Sequence, residues 1–124
     1  MIYLDTHVVA WLYVGRVDLF TRRGTRLLNE EELLVSPMVV LELEYLREVA
    51  RLKVGADVVM QALQVQLGLR ICDVGFPKIA ERAGREHWTR DPFDRLIVSH
   101  AALSDSPLIT KDQTIRKHYR RAVW

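Results

Sequence analysis

The segment 90–95 has the sequence Arg-Asp-Pro-Phe-Asp-Arg and carries two carboxylates three residues apart. Asp91 fits an N-cap and Pro92 fits the first position of a helix, which the pattern predicts to extend to about Leu103. The residues three, four and seven positions after Asp94 are all apolar: Ile97, Val98 and Ala101. Asp94 should therefore point toward the core. Capping alone can explain Asp91, whereas a carboxylate on an apolar helix face needs a partner.

Glu42 is a second carboxylate with apolar neighbours at helical spacings. It lies in a predicted helix from Pro37 to about Leu52, which begins with Ser36-Pro37, again a capping residue followed by proline. Its neighbours on that face are Met38, Val39, Tyr45, Leu46 and Val49. Glu44 lies near Arg47 and Glu48 and is predicted to be a surface acid. An internal salt bridge to an arginine and a metal ion are both open explanations for Glu42.

Two further acids follow predicted strands. Asp5 comes directly after a short apolar run, residues 1–4, and Asp112 follows a strand at 108–110. Thr6 is predicted to cap the next helix, from His7 to about Tyr13. An acid at the carboxyl end of a strand, before a helix, stands where open parallel sheets bind ligands. A capping role alone remains the alternative for Asp5.

These four carboxylates would repel one another if the fold brought them together. At about 4 Å and an effective dielectric constant near 20, each pair is unfavourable by about 4 kcal/mol. Such a cluster must take up protons or hold a cation, and a hard divalent ion with oxygen ligands suits it. The sequence has no Cys/His spacing for zinc and no glycine-rich phosphate loop. Carboxylate-held Mg²⁺ or Mn²⁺ is suited to phosphodiester hydrolysis.

The alternation of short strands and helices predicts an α/β fold with a mainly parallel sheet. The order of the strands does not follow from the pattern. The other predicted elements are a helix at 18–28, a strand at 33–35, a helix at 55–67, a strand or extended link at 70–74, a helix at 76–83, a basic helix at 114–119 and an edge strand at 122–124.

Length and composition suit one soluble domain spanning residues 1–124. The net charge of +2 is nearly balanced and does not by itself indicate a nucleic-acid binder. Because Cys72 is the single cysteine, no internal disulfide can form, which fits a reducing cytoplasm. Cys72 lies in an apolar run and is predicted to be a buried thiol. We expect neither a signal peptide nor a membrane span. Basic residues that could contact a nucleic-acid backbone are Arg16, Arg22, Arg23, Arg26, Arg116, Lys117, Arg120 and Arg121.

Four motifs together resemble those of PIN-domain ribonucleases, and most closely the VapC-type toxins of toxin–antitoxin pairs. The resemblance covers nearly the whole chain, with the motifs in order. They are Leu4-Asp5-Thr6-His7, Ser36-Pro37 with Glu42, Asp91-Pro92-Phe93-Asp94-Arg95, and Ile109-Thr110-Lys111-Asp112. Each motif is weak alone, and the four together are fairly specific.

The resemblance implies a three-layer α/β/α sandwich and Mg²⁺- or Mn²⁺-dependent cleavage of RNA. It also implies a homodimer and inhibition by a small cognate antitoxin. Asp5, Glu42, Asp94 and Asp112 match the family's acidic quartet, with Asp5, Asp94 and Asp112 as metal ligands. The accessory positions are Thr6, Asp91, Arg95 and Thr110, and the residues expected to contact RNA are Arg16, Arg22, Arg116 and Lys117.

Three other functions remain open at this point. The chain could be a housekeeping RNA-processing or DNA-directed nuclease. It could also be a non-catalytic binding module of the same fold, with the acids paired to arginines such as Arg95 or Arg90. A phosphoryl-acceptor domain with Asp5 as nucleophile is the most distant alternative, because no suitable lysine partner is evident.

Overall fold

A five-stranded sheet forms the centre of the protein, which is described over residues 1–124 by a computed structural model. The strands are β1 (Ile2–Leu4), β2 (Leu33–Val35), β3 (Arg70–Ile71), β4 (Leu108–Ile109) and β5 (Ala122–Val123). Their order in the sheet is β3-β2-β1-β4-β5, and every neighbouring pair is parallel. The predicted parallel α/β architecture is confirmed.

Seven helices connect and flank these strands. They are α1 (Thr6–Val14), α2 (Arg22–Glu30), α3 (Pro37–Glu48), α4 (Ala56–Leu67), α5 (Phe76–Ala83), α6 (Pro92–Leu103) and α7 (Gln113–His118). Helices α1, α3 and α4 pack on one another, and α6 packs on α3, on α5 and against β1. This arrangement agrees with the predicted sandwich. No helix combines the length and apolar character needed to cross a membrane.

Two predicted helix boundaries are wrong, each for a local reason. The predicted helix at 18–28 is a 3₁₀ turn at Val17–Leu19 followed by α2. The hydroxyl of Thr21 accepts a hydrogen bond from the Gly24 N–H at 3.1 Å and so begins a new helix. Helix α3 ends at Glu48, four residues earlier than predicted, and Ala50 adopts a positive φ of 60° just beyond it.

Glu44 lies beside Arg47 as predicted, with Nη1 and Oε2 3.6 Å apart, and it also caps a helix. Its carboxylate accepts a hydrogen bond from the Ala56 N–H, at 2.5 Å, in the first turn of α4. The N-cap residue there is Gly55, which has no side chain to do this. A Cβ at Gly55 would lie only 2.9 Å from the Glu44 carboxylate, so a larger residue would displace the cap.

The strand order explains why a site can form at one edge of the sheet. Strand β1 lies between β2 and β4, so the connections after β1 and β4 leave toward opposite sides. A crevice opens at the carboxyl ends of two such strands. Both strands are buried, and Ile2, Leu4, Leu108 and Ile109 are each 0% exposed. The two chain segments that follow them therefore start from fixed positions.

Candidate active site

Five carboxylates converge on one open cavity of about 270 Å³ beyond the carboxyl ends of β1 and β4. The residues around it are Asp5, Thr6, His7, Glu42, Leu46, Asp91, Asp94 and Asp112. The fold thus brings together all four acids singled out from the sequence. Asp91, expected as an accessory residue, joins them.

Asp5 is buried and held by hydrogen bonds from two sides. One carboxylate oxygen accepts from the Thr6 N–H at 2.7 Å, which makes Asp5 the N-cap of α1. The prediction that Thr6 caps this helix is therefore wrong. The other oxygen accepts from the Thr110 hydroxyl at 2.6 Å. Because Thr110 follows β4, this bond ties the ends of the two central strands together.

Asp112 is positioned by the same threonine and by the helix that it begins. The Thr110 hydroxyl oxygen accepts from the Asp112 N–H at 3.0 Å. One carboxylate oxygen of Asp112 accepts from the Ile115 N–H at 2.9 Å, which caps α7. The carboxylate is thereby oriented at the edge of the cavity.

Asp94 and Glu42 enter the cavity from α6 and α3, and both resist ionisation. Burial is the largest cause of the raised pKa of Asp94, which is about 7. The charges of the other acids add to it, in the order Asp91, Asp5, Asp112 and Glu42. Burial also raises the pKa of Glu42, with smaller contributions from the Asp5 and Asp91 charges and an opposing one from the Thr6 hydroxyl. The carboxylates share a strongly negative potential.

No arginine or lysine neutralises this group. None of the five acids takes part in a salt bridge with either residue type. The side chain of Arg95 turns away, and its Nε donates to the Thr89 carbonyl at 2.7 Å. The internal salt bridge that could have explained Glu42 is absent. Bound protons or a cation from outside the chain must therefore balance the cluster at neutral pH.

His7 has a structural role that the sequence did not reveal. Its Nε2 accepts a hydrogen bond from the Lys111 N–H at 2.9 Å, so the ring hydrogen is on Nδ1, which faces Asp5 at 3.4 Å. Burial lowers the pKa of His7 more than the nearby acids raise it, so the ring is neutral at pH 7. A partner 104 residues away leaves no signal in a local pattern.

The donor atoms in the cavity fit a hard divalent cation. They are carboxylate oxygens with one buried hydroxyl, that of Thr6, which makes no hydrogen bond of normal geometry although it lies near Glu42. No three acidic or histidine side chains stand close enough to form a complete protein cage. Mg²⁺ rarely uses such a cage, because it keeps several waters and takes one or two carboxylates.

The basic residues proposed to contact RNA lie outside this cavity. Arg16 forms an exposed ion pair with Asp18, with Nε and Oδ1 2.9 Å apart. Arg22 is exposed at the start of α2, and Arg116 and Lys117 are exposed on α7. The structure does not bring these four residues together with the acids.

The fold and the cavity define an α/β protein with an acidic cavity, unpaired by arginine or lysine, at the carboxyl edge of a parallel sheet. The chain matches the PIN domain over residues 2–121 and belongs to that family. This confirms the family predicted from the four motifs, and membership supports a nuclease activity. No curated protein sequence matches the chain significantly.

Two solved structures share the fold. One is the crystal structure of VapBC2 from Rickettsia felis bound to a DNA fragment from their promoter, with a TM-score of 0.66 and 22% identity over 99% of this chain and 96% of that chain. The other is a toxin–antitoxin complex from Klebsiella pneumoniae, with a TM-score of 0.67 and 18% identity over 100% of this chain and 97% of that chain. At this level of identity the similarity is one of fold.

Proposed function

We propose that this protein is an Mg²⁺- or Mn²⁺-dependent endoribonuclease and the toxin of a toxin–antitoxin pair. The observation that carries the proposal is the convergence of five carboxylates in one cavity with no arginine or lysine to balance them. Such a cluster costs stability unless it serves a cation, and the all-oxygen donor set suits a hard one.

In this proposal three of the acids share the binding of the metal, and Glu42 and Asp91 have other roles. Asp5, Asp94 and Asp112 would hold the metal, one or two of them directly and the rest through its waters, and the bound metal would activate water and neutralise charge on the phosphate. Thr110 and the Thr6 N–H fix the two oxygens of Asp5. Glu42, whose pKa is raised, is suited to take up the proton released when water attacks phosphorus. Asp91 caps α6 and adds negative potential.

Replacing one metal-binding carboxylate tests the activity directly. We expect Asp94→Asn to abolish cleavage of a total RNA pool in Mg²⁺ while the circular dichroism spectrum stays unchanged. A chelator should inactivate the wild type to the same extent, and mapped cut ends would define the substrate. Glu48→Gln, which alters an exposed acid on α3, is the control and should cut normally. Equal cleavage by the wild type and Asp94→Asn would reject the proposal.

The toxin role goes beyond the nuclease activity and is supported by the fold shared with chains from toxin–antitoxin complexes. It implies a small antitoxin and action in the cytoplasm, and we include the homodimer in the proposal. Exposed apolar residues on α3 and α4, such as Leu41 at 43% and Val65 at 82%, offer a partner an apolar surface. Growth arrest on expression, relieved by a co-expressed partner, would support the toxin role. Absence of any growth effect would favour a housekeeping nuclease.

A non-catalytic binding module of the same fold is the second candidate. The observation that favours it is that no three acidic or histidine side chains stand close enough to enclose an ion. Isothermal titration calorimetry with Mg²⁺ and Mn²⁺ separates the two candidates. Metal binding that is lost in Asp94→Asn supports the nuclease, and absence of binding supports the module.

A further inference from the structure

An aromatic cluster lies directly beside the acidic cavity. Trp11 on α1 and Trp124 after β5 contact each other edge to face, with ring centroids 5.7 Å apart. His7, which lines the acidic cavity, lies 4.9 Å from Trp11, and Phe20 lies 5.5 Å from Trp124. All four rings are only partly buried, so they retain exposed surface. We name Trp11 and Trp124 the indole platform.

Lys111 places a free positive charge on this platform. Its ammonium nitrogen lies 5.7 Å from the Trp11 centroid and 5.9 Å from the Trp124 centroid. The ammonium group is in no salt bridge or hydrogen bond, although Lys111 directly precedes Asp112. An exposed ammonium that lies over aromatic rings and forms an ion pair with no acid can accept an anion.

The platform is continuous with the acidic cavity. The Lys111 N–H donates to the His7 ring, so the cation and the cavity wall are linked at the backbone. Trp11 also lines a second open cavity of about 270 Å³, which shares His7 and Leu46 with the acidic cavity and has Arg51 on its wall. A chain that crosses the acids therefore reaches the indoles within a short distance.

We propose that the indole platform and Lys111 form a subsite for one unpaired nucleotide of the RNA substrate, next to the bond that is cut. The base stacks on the indoles, and the ammonium moves from the rings to the adjacent phosphate. Indole faces accept any base, and a base in a duplex has no free face to offer. The inference rests on the proposed function and assigns the contact with the nucleotide beside the cut bond to Trp11, Trp124 and Lys111.

Binding measured without cleavage tests the subsite. The probe is a short fluorescein-labelled RNA of mixed sequence, used single-stranded or annealed to its complement. It is titrated by fluorescence anisotropy with the full chain carrying Asp94→Asn. Trp124→Leu, Lys111→Ala and Lys111→Arg are compared in that background. Lys78→Ala removes one charge from an exposed site on α5 and is the control.

The single strand should bind more tightly than the duplex. Trp124→Leu should weaken single-strand binding about tenfold, the effect of losing one stacking partner, and leave duplex binding unchanged. Lys111→Ala should weaken binding and lower the salt dependence by about one phosphate contact, and Lys111→Arg should restore both. Lys78→Ala should behave as the parent does.

The subsite proposal is overturned if Trp124→Leu and Lys111→Ala bind RNA as tightly as the Asp94→Asn parent. It is also overturned if these variants lose as much affinity for the duplex as for the single strand. If Trp124→Leu fails to fold, as judged by circular dichroism, the Lys111 pair still decides, because this side chain is exposed. Cleavage of total RNA by the wild type is scored separately. Mg²⁺-dependent cleavage with unaffected variants rejects the subsite alone, whereas absence of cleavage rejects the proposed function.

Discussion

At the scale of single residues, Asp94 shows how a cluster of buried acids lowers the stability of the metal-free fold. The raised pKa of about 7 means that the folded protein resists placing a negative charge at this position. Burial and four nearby acids cause this resistance, and a bound divalent cation would reverse it. The carboxylates are therefore a cost to the metal-free fold, which is typical of functional positions.

The first prediction concerns the pH dependence of stability without metal. The folded state keeps the Asp94 proton up to about pH 7, whereas the ordinary pKa is 3.8. Between these values the folded state binds more protons than the unfolded state, so the free energy of unfolding falls as pH rises. Asp94→Asn should therefore raise that free energy at pH 8 by about 1–2 kcal/mol, allowing for solvent screening of a half-buried group.

Urea unfolding at pH 5 and pH 8 in EDTA measures this effect. The wild type should gain more stability from Mg²⁺ at pH 8 than at pH 5, and Asp94→Asn should gain little at either pH. Glu48→Gln should follow the wild type throughout. A wild type more stable than Asp94→Asn at pH 8 without metal would contradict the argument.

The second prediction concerns the hydroxyl of Thr110. Thr110→Val keeps the shape of the side chain but removes the donor to Asp5 and the acceptor for the Asp112 N–H. We expect a loss of about 1–3 kcal/mol in the free energy of unfolding, because a buried carboxylate loses a hydrogen bond. RNA cleavage should fall as well, and Thr110→Ser should restore both. A fully active Thr110→Val would show that the position of Asp5 does not depend on this bond.

At the scale of secondary-structure elements, the same acidic residues both cap helices and line the cavity. Asp5 begins α1, Asp91 begins α6 and Asp112 begins α7, so three of the five acids of the cavity also accept a helix N–H. The positive end of a helix stabilises a nearby carboxylate, which partly offsets the mutual repulsion of the acids. Capping and ligand binding, treated as alternatives at the sequence level, are compatible in this fold.

The third prediction separates these two roles at Asp91. Its carboxylate accepts from the Phe93 N–H at 2.8 Å. Asp91→Asn keeps an N-cap acceptor and removes a charge, so stability should be unchanged or slightly higher without metal. Asp91→Ala removes the cap and should be about 1 kcal/mol less stable than Asp91→Asn, as measured by urea unfolding. Equal stability of the two variants would show that this cap contributes nothing.

At the scale of the whole molecule, one core supports the site. A cluster of 26 buried side chains includes residues from α1, α3, α4, α6 and α7 and from four of the strands. Tyr3 in β1 donates its hydroxyl hydrogen to Cys72 at 3.0 Å, which joins the central strand to the segment after β3, and the predicted buried thiol is confirmed. Because the five acids come from four separate segments, the site should exist only while this core is intact.

The fourth prediction follows from that dependence. Leu4→Ala empties a fully buried position next to Asp5 and should cost about 2–5 kcal/mol. RNA cleavage should fall in parallel with the folded fraction, and tryptophan fluorescence and circular dichroism should report one shared transition. Val65→Ala is the control, because Val65 is 82% exposed. Two separate transitions would argue against the proposed single domain over residues 1–124.

The sequence by itself predicted most of the elements and singled out four acids that the fold brings together. Apolar runs and Ser-Pro and Asp-Pro starts predicted β2, α3 and α6 well, because strands and caps are local structures. Helical spacing separated Glu42 from its neighbours, since a carboxylate among apolar residues is visible in one dimension. The short α2 region and the end of α3 were predicted less well, because single hydrogen bonds such as that of Thr21 decide them.

Only the tertiary structure decided the order of the strands, the capping role of Glu44 and the link between His7 and Lys111. Each depends on contacts between segments that are distant in the chain, and no local pattern records them. The same holds for the absence of an arginine beside the acids, since the chain has many arginines and only the fold determines where each one points. Residue types specify what chemistry is available, and long-range packing specifies which groups meet.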